Sequence, residues 1–392
     1  MVKTRLALDD LPVADNHCFA FPPQAKAITD EQFMRYFAVG GFSVMGTKTS
    51  LDPREAFDQV RSAVSFKYCL RLLARFLRCK SDLGTVVNTR NKRSKEFSRY
   101  VSDLFGNVKL QILLIDSGLQ PVSVDEFKSY VPTRVGRIFR IEPLVKQLLE
   151  TKADFKELLA EFDETLLGAV RDGCVGFKTI IAYRTGLDID PVTEDEARKD
   201  FERIMHKQEP TAWFGPVAKN LRDHLVFRTI NACIKHDKVM QIHTGLGDTD
   251  IVGPRCNPIL LESFLKHEEI QPAKVVLVHG GYPYIIEAAW LANVLPNVHL
   301  ELSSPLPPYF APAVSARRYV ETIQQAPTRK IVYGSDGGEI PEMHWLSAKM
   351  AKLTLQLSLG KLIELDMLDN VDAREIARNI LFENVRRLYK LG

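Results

Sequence analysis

Three histidines and one aspartate of this chain follow short apolar segments, at positions where a folded sheet would bring them together. His17, His243 and His279 end such segments, and Asp336 follows another within a glycine-flanked turn. Imidazole and carboxylate groups in one concave site suit a divalent transition metal such as zinc, iron or manganese. Such a metal lowers the pKa of bound water toward ~7 and polarises a carbonyl group, and Asp336 would accept the proton of that water. The pattern therefore predicts a metal-assisted active site.

The apolar segments alternate with longer helical patterns, which indicates β/α units around a parallel sheet. They are apolar throughout, as expected of strands that are buried on both faces. We predict eight strands, at residues 11–16, 84–89, 108–115, 175–182, 239–243, 274–279, 297–302 and 330–334. Eight strands with interleaved helices favour a closed (β/α)8 barrel (a TIM barrel). We expect one such domain over residues 1–392.

The long first interval of the barrel is helical in pattern, and we interpret residues 20–82 as a helical insertion packed over the barrel mouth. Further helical stretches are expected at 141–170, 192–237 and 340–390, the last of them closing the barrel. Side chains at the carboxyl ends of barrel strands converge on one mouth, where catalytic groups are found. The three histidines and Asp336 are therefore expected to meet there.

Four motifs carry a resemblance to a known family. They are VADNHCF at 13–19, VMQIHTG at 239–245, VVLVHGG at 275–281 and IVYGSD at 331–336. In this order they resemble the amidohydrolase superfamily, and most closely its amidohydrolase-2 branch of barrel hydrolases and decarboxylases. The run FKTIIAYRTGLDI at 177–189 resembles a sub-branch that is also found fused to glutamine-synthetase-like domains.

The resemblance implies a role for each strand-end residue. His17, His243 and Asp336 would bind one divalent metal, most simply zinc, with manganese or iron as alternatives. His279 matches the strand-six histidine, which in different members either binds metal or orients and protonates the substrate. We expect it to be a catalytic partner that stabilises the developing oxyanion, and Asp336 would also be the general base. Lys178 stands where some members carry a carbamylated lysine that bridges two metals; the alternative is an unmodified amine.

The chain departs from the family at the HxH motif, which reads His17-Cys18-Phe19. Phe19 cannot bind a metal, and Cys18 is expected to point away from its neighbours on an extended strand. Three protein ligands still leave room for water on a single metal. The motif therefore predicts a mononuclear site, or a barrel that has lost its metal.

Substrate-contacting residues are indicated less specifically. Arg184 offers a bidentate fork for a substrate carboxylate, with a structural ion pair as the alternative. Tyr183 and Tyr282 are expected to line the mouth, with a place in the core as the alternative for Tyr183. Near the same strand ends lie four further polar residues whose roles the sequence leaves open: Glu301, Ser303, Glu339 and His344.

Composition excludes several classes of protein. The 52 basic and 49 acidic residues nearly cancel, so nucleic acid or membrane binding is not indicated. A basic stretch at 71–99 is interpreted as a solvated helical face, with an anionic ligand as the alternative. Six cysteines without a CxxC pair read as reduced thiols, and no segment resembles a signal peptide or a membrane span. We expect a cytoplasmic homo-oligomer.

The sequence leaves three functions open. The first is hydrolysis of a small amide or related bond in a carboxylate- or amino-acid-like compound. The second is non-oxidative decarboxylation of a small carboxylic acid on the same barrel. The third is a non-catalytic or metal-free barrel, which Phe19 suggests.

Overall fold

Eight strands arranged around one axis form the centre of the molecule in the computed structural model. The structure describes residues 6–24, 26–37, 53–118, 121–207, 215–248, 250–303 and 312–392. Within these ranges the strands are β1 Val13–Cys18, β2 Leu110–Asp116, β3 Arg134–Arg140, β4 Gly176–Thr179, β5 Val239–His243, β6 Lys274–Val278, β7 Val298–Glu301 and β8 Ile331–Val332.

The strands follow one another around the sheet in chain order, and each pairs in parallel with the next. Backbone hydrogen bonds also join β1 to the chain just after β8. The Asn16 N–H donates to the Tyr333 carbonyl at 2.9 Å, and the Asp336 N–H donates to the His17 carbonyl at 2.9 Å. These bonds bring the two edges together, which confirms the predicted (β/α)8 barrel.

The helices in the described residues are α1 Asp30–Arg35, α2 Pro53–Ser62, α3 Val64–Leu77, α4 Leu83–Arg93, α5 Phe97–Val108, α6 Val124–Tyr130, α7 Ile141–Thr151, α8 Phe155–Arg171, α9 Glu194–Lys207, α10 Lys219–Lys235, α11 Glu262–Lys266, α12 Ile285–Val294, α13 Pro312–Gln325, α14 Pro341–Glu364, α15 Asn370–Arg378 and α16 Asn384–Leu388. None of them is both long and apolar enough to cross a membrane.

The barrel interior is filled by side chains from alternate strand positions, and α16 closes one end of it. Ile112, Ile138 and Val276 pack in one buried cluster with Leu388 and Tyr389 of the C-terminal region. The Tyr389 hydroxyl accepts a hydrogen bond from the buried Gln241 amide at 2.9 Å. Because α16 occupies the amino end, the opposite, carboxyl end of the strands is left as the mouth.

One predicted strand is wrong. Residues 84–89 lie in α4 and not in a strand. The Asp82 side chain accepts a hydrogen bond from the Thr85 N–H at 2.9 Å and so caps this helix. Val86, Val87 and Arg90 are buried at helical spacing, which outweighs the strand preference of β-branched side chains. The described helices between β1 and β2 therefore run from α1 to α5, well beyond residue 82.

The strand that completes the set of eight is β3, which was not predicted from the sequence. Its sequence RVGRIFR carries three arginines, so it does not read as a buried strand. The structure accommodates the charge of Arg140 by pairing it with Asp116 on β2. Gly136 lets the neighbouring strands approach, since a Cβ there would lie 2.8 Å from a methyl group of Leu114.

Candidate active site

The barrel mouth brings together all four residues that the sequence singles out. His17 lies on β1, His243 ends β5, His279 follows β6, and Asp336 lies just beyond β8. Potential ligand atoms of His17, His279 and Asp336 all lie within 4.8 Å of one another. The His243 ring stands next to the His279 ring, with their centroids 4.6 Å apart. The three histidines are buried, and Asp336 is 17% exposed.

One ring nitrogen of His17 has two close polar neighbours. Its Nε2 lies 2.9 Å from Asp336 Oδ1 and 2.9 Å from the Lys178 ammonium nitrogen. A ring nitrogen either carries a proton, which it can donate to Asp336, or a lone pair, which can accept from Lys178. It cannot satisfy both neighbours at once. Burial and the charge of Lys178 hold the pKa of His17 well below its usual range, so the ring is neutral.

A chain of hydrogen bonds orients His279. Its Nδ1 lies 2.7 Å from the Ser303 hydroxyl oxygen, and that hydroxyl donates to Glu301 Oε2 at 2.7 Å. The Glu301 carboxylate also accepts the backbone N–H of His279 at 3.0 Å. Burial raises the pKa of Glu301 to about 8. With Glu301 ionised, the single proton of Ser303 goes to Glu301, so Nδ1 of His279 donates to Ser303 and Nε2 keeps its lone pair. Burial lowers the pKa of His279 to about 3.

His243 lies beside His279 at the mouth. Its Nε2 is buried and has no hydrogen-bond partner among the described residues. The Tyr183 ring packs against the imidazole, with centroids 4.6 Å apart. Burial and the neighbouring His279 lower the pKa of His243 well below its usual value. The imidazole is therefore neutral and has a lone pair to offer.

The turn that presents Asp336 is held to β1. Asp15 Oδ1 accepts the backbone N–H of Ser335 at 2.8 Å and that of His17 at 3.2 Å. Asp336 itself has a φ of 51°, in the left-handed region that non-glycine residues seldom occupy. Such strain is common at functional sites. Burial raises the pKa of Asp336, against the opposing effect of His279 and Lys178.

Lys178 is a buried ammonium in an ion-pair network. Its Nζ lies 3.1 Å from Asp116 Oδ2, and Asp116 also pairs with the guanidinium of Arg140. Burial would raise the pKa of Asp116, but Arg140 and Lys178 together lower it. Burial lowers the pKa of Lys178, while Asp116 opposes that change. The close Asp116 carboxylate fits an unmodified, charged amine rather than an anionic carbamate.

Phe19 fills the position of the missing second histidine. Its ring lies 5.3 Å from the His17 ring. The Arg140 guanidinium and the Lys178 ammonium approach the Phe19 ring at 5.5 and 5.9 Å from its centroid. Two cations and an aromatic ring thus stand where the family has its second histidine, and Phe19 supplies no ligand for a second metal.

The donor set on the other side does fit one divalent cation. Neutral imidazoles and a carboxylate are typical ligands of zinc, manganese and iron. His243 Nε2 lacks a hydrogen-bond partner within the described part of the chain, and His17 Nε2 faces two neighbours that it cannot satisfy together. A cation among them would satisfy these atoms. The geometric group of ligand atoms includes His279 and leaves His243 beside it, whereas the sequence resemblance assigns His243 to the metal and allows either role for His279.

The predicted substrate residues lie around the same mouth. Arg184 Nη1 lies 3.5 Å from Asp250 Oδ2, so the guanidinium takes part in an ion pair of the chain itself. The Tyr183 hydroxyl accepts the backbone N–H of Asp248 at 3.0 Å. Tyr183 therefore connects the loop after β5 to the wall of the site.

Tyr282 follows His279 in the loop after β6. The guanidinium of Arg318 lies over its ring, 4.4 Å from the centroid. The carbonyl of Tyr282 accepts the N–H of Leu246 at 2.7 Å, which ties this loop to the loop after β5. Its contacts are thus structural, and a contact with substrate stays a prediction.

Sequence reasoning missed the Asp116–Arg140 pair. Asp116 directly follows the predicted strand 108–115 and opens a turn, so the strand-end criterion that selected the histidines would also have selected it. Arg140 had no such signal, because β3 was not predicted. Of the two residues after β8 whose roles were left open, Glu339 is exposed and His344 is buried behind β1 next to Asp15.

Comparison with known proteins places this geometry in a family. Residues 206–391 match the family Amidohydro_2, described as amidohydrolase. Protein fluG of Emericella nidulans is 32% identical over 320 residues, which are 72% of this chain and 36% of fluG. The chain thus spans about a third of the length of the curated relative it matches.

Two solved structures share the barrel over nearly its whole length. A protein described as a metal-dependent hydrolase, from Lactobacillus casei ATCC 334, has a TM-score of 0.82 and 26% identity, over 97% of this chain and 96% of that one. Uronate isomerase from Thermotoga maritima has a TM-score of 0.69 over 97% and 95%, and its 15% identity makes this a likeness of fold alone. From the family match, the fluG similarity and the hydrolase structure, we conclude that the chain belongs to the amidohydrolase superfamily.

Proposed function

We propose that this protein is a metal-dependent hydrolase of a small amide or related C–N bond, in a carboxylate- or amino-acid-like substrate. The observation that carries the proposal is the group formed by His17, His279 and Asp336, whose potential ligand atoms lie within 4.8 Å of one another at the barrel mouth. Family membership and similarity to the Lactobacillus casei protein support it.

His17, His279 and Asp336 would hold one divalent metal, with zinc as our first choice. When bound, the metal supplies an activated water and polarises the substrate carbonyl. His279 is oriented for this task, since the hydrogen-bond chain through Ser303 to Glu301 leaves the lone pair on Nε2. We assign His243, whose Nε2 is unpartnered in the described structure, to orient the substrate carbonyl.

Asp336 would act as the general base. It must be ionised to take a proton from the attacking water, and burial raises its pKa toward the range in which such exchange is efficient. Lys178 opposes this rise in the pKa of Asp336 and so favours the ionised carboxylate. After attack, Asp336 would return the proton to the leaving nitrogen.

The experiment is a paired assay of the full chain, reconstituted with zinc or manganese, on a panel of small N-acyl amino acids. Released amine and released carbon dioxide are measured in the same samples. We expect amine release that disappears with chelation and returns with metal. Carbon dioxide without amine, or no metal dependence of either product, would contradict the proposal.

Metal content of the variants tests the division of roles between the two neighbouring histidines. His279→Ala should lose the metal, and His243→Ala should keep it but lose turnover. The reverse result would exchange the two roles, which the sequence resemblance allows.

Decarboxylation is the second candidate, and one observation favours it. Lys178 and Arg140 bring two buried positive charges to one side of the mouth, and both pair with the single carboxylate of Asp116. That side therefore carries an excess positive charge, which suits a substrate carboxylate. The paired assay separates this reaction from amide hydrolysis.

A further inference from the structure

A second cluster of potential metal ligands is formed by residues of β1 and α14 and shares no residue with the group at the mouth. Asp15 and Cys18 on β1 and His344 on α14 are each 0% exposed. One ligand atom from each residue lies within 4.8 Å of the other two. The proposed reaction uses none of these three side chains.

The polar atoms of this cluster lack partners. In the part of the chain that the structure describes, Asp15 Oδ2 and both ring nitrogens of His344 are buried without a hydrogen bond. His344 Nδ1 lies 3.8 Å from Asp15, which is too far for one. The rings of Phe21 and Phe105 flank the imidazole, with centroids 5.2 and 6.0 Å away. Buried polar atoms in apolar surroundings are costly unless something binds them.

The charge of Asp15 points to the kind of ligand. Its carboxylate accepts backbone N–H groups of His17 and Ser335, and among the described residues no lysine or arginine pairs with it. Among the described residues, the basic side chain beside it is the His344 imidazole, at 3.8 Å. A divalent cation would be neutralised by this carboxylate together with the thiolate of Cys18.

We propose that Asp15, Cys18 and His344 bind a second, structural transition-metal ion of the thiophilic divalent class, of which Zn²⁺ is the representative. Thiolate, imidazole and carboxylate are the three ligand types that zinc takes in proteins. Binding would replace the weak contact of the Cys18 thiol with the Leu114 carbonyl at 3.5 Å and release the thiol proton to solvent.

Such an ion would stabilise the seam of the barrel. Asp15 is one of the residues that join β1 to the turn after β8, through the hydrogen bond that its side chain accepts from the Ser335 N–H. A metal ion bound to Asp15 Oδ2 would fix this side chain. It would thereby stabilise the position of the turn that carries Asp336 relative to the strand that carries His17. This site does not depend on the proposed function, because its ligands differ from those at the mouth.

Cobalt is the probe that distinguishes the two sites. The full chain is produced in minimal medium supplemented with Co²⁺, freed of loose metal, and examined by absorption spectroscopy and metal analysis. A thiolate-to-cobalt charge-transfer band requires a cysteine ligand, and the mouth site offers none. We expect the band in the wild-type protein, and one equivalent less cobalt in Cys18→Ser, which should lack the band.

Three variants complete the test. Cys79→Ser is the matched control for a thiol outside the cluster and should keep the band. The double variant His279→Ala with Asp336→Asn empties the mouth and should also keep it. His344→Gln retains the thiol and should lose cobalt, which covers the case in which Cys18→Ser does not fold. Absence of the band in folded wild-type protein, or its survival in folded Cys18→Ser, would overturn the proposal.

Discussion

The ammonium of Lys178 lies 2.9 Å from the Nε2 atom of His17, inside the ring of residues at the barrel mouth. The same ring nitrogen faces a carboxylate oxygen of Asp336 at 2.9 Å. A fixed positive charge thus stands close to the carboxylate that we propose as the general base. The main effect of the Lys178 charge is electrostatic, because a nearby cation favours the ionised form of Asp336.

The pH dependence of activity should reveal this relationship. Burial raises the pKa of Asp336, and Lys178 opposes the rise. Activity requires the ionised form, so it is lost as the pH falls through the raised pKa. In Lys178→Met the opposing charge is gone, and the acidic limb of kcat/KM should move to higher pH, by about one unit. An unchanged limb, or one at lower pH, would show that Lys178 does not act on the base.

Replacing Asp336 or His243 should remove most of the turnover. We expect Asp336→Asn and His243→Ala to lower kcat about 10²–10⁴-fold, the range for a positioned acid–base group. Both should remain folded by circular dichroism. Glu339→Gln is the matched control, since it removes an exposed carboxylate three residues from Asp336 and should leave kcat unchanged. Retention of most activity in either site variant would refute the assignment.

Ser303 should matter through His279 rather than through substrate. Ser303→Ala removes the hydroxyl that links His279 to Glu301, so the imidazole loses its fixed orientation. We expect metal affinity to fall about 10–100-fold, the usual effect of losing such a partner. Ser303→Thr keeps a hydroxyl and should restore most of the affinity. Equal metal affinity in all three proteins, measured by competition with a chelator, would remove the hydrogen-bond chain from the mechanism.

The sequence predicted the residues of the mouth better than the elements that hold them. His17, His243, His279 and Asp336 could be found because each lies at or just after the carboxyl end of a strand, and parallel strands place these ends together. Seven strands were found in the same way from their apolar runs. The errors arose where long-range contacts decide the structure.

Two elements show the physical reason. The β-branched residues Val86 and Val87 resemble a strand locally, but a capping aspartate and a buried helical stripe make that segment a helix. The arginine-rich sequence of β3 resembles a loop. The Asp116 carboxylate that neutralises Arg140 lies 24 residues earlier in the chain, so the local sequence does not show that this charge is paired. The division of roles between His243 and His279 likewise depends on distances that sequence spacing does not contain.

Gly334 should be required by the carboxylate that supports His279. A Cβ at this position would lie 2.3 Å from Glu301 Oε1. Glu301 cannot move away without losing the hydrogen bonds that it accepts from His279 and Ser303. We expect Gly334→Ala to lower the free energy of unfolding by about 1–3 kcal/mol, as other overpacked sites do.

Gly360 in α14 is the matched control for that substitution. Nothing lies within 4 Å of a Cβ built there. Since glycine is unfavourable in a helix, Gly360→Ala should raise the free energy of unfolding by about 0.5–1 kcal/mol. Denaturant titrations of both variants measure the difference. If Gly334→Ala is as stable as the wild-type protein, the space beside Glu301 is not limiting.

A buried ion pair should anchor the helices between β1 and β2 to the barrel. Arg90 on α4 lies 2.6 Å from Glu342 at the start of α14, and both side chains are at most 1% exposed. The Tyr100 hydroxyl donates to the same carboxylate at 2.9 Å. Because removal of one partner leaves the other charged and buried, Arg90→Met should cost about 3–5 kcal/mol of stability.

The double variant Arg90→Met with Glu342→Leu should recover much of that loss, since a buried ion pair is often replaceable by apolar side chains. Denaturant unfolding of the two single variants and the double variant forms a cycle. Additive losses would mean that the two residues act independently, and that other contacts hold these helices on the barrel.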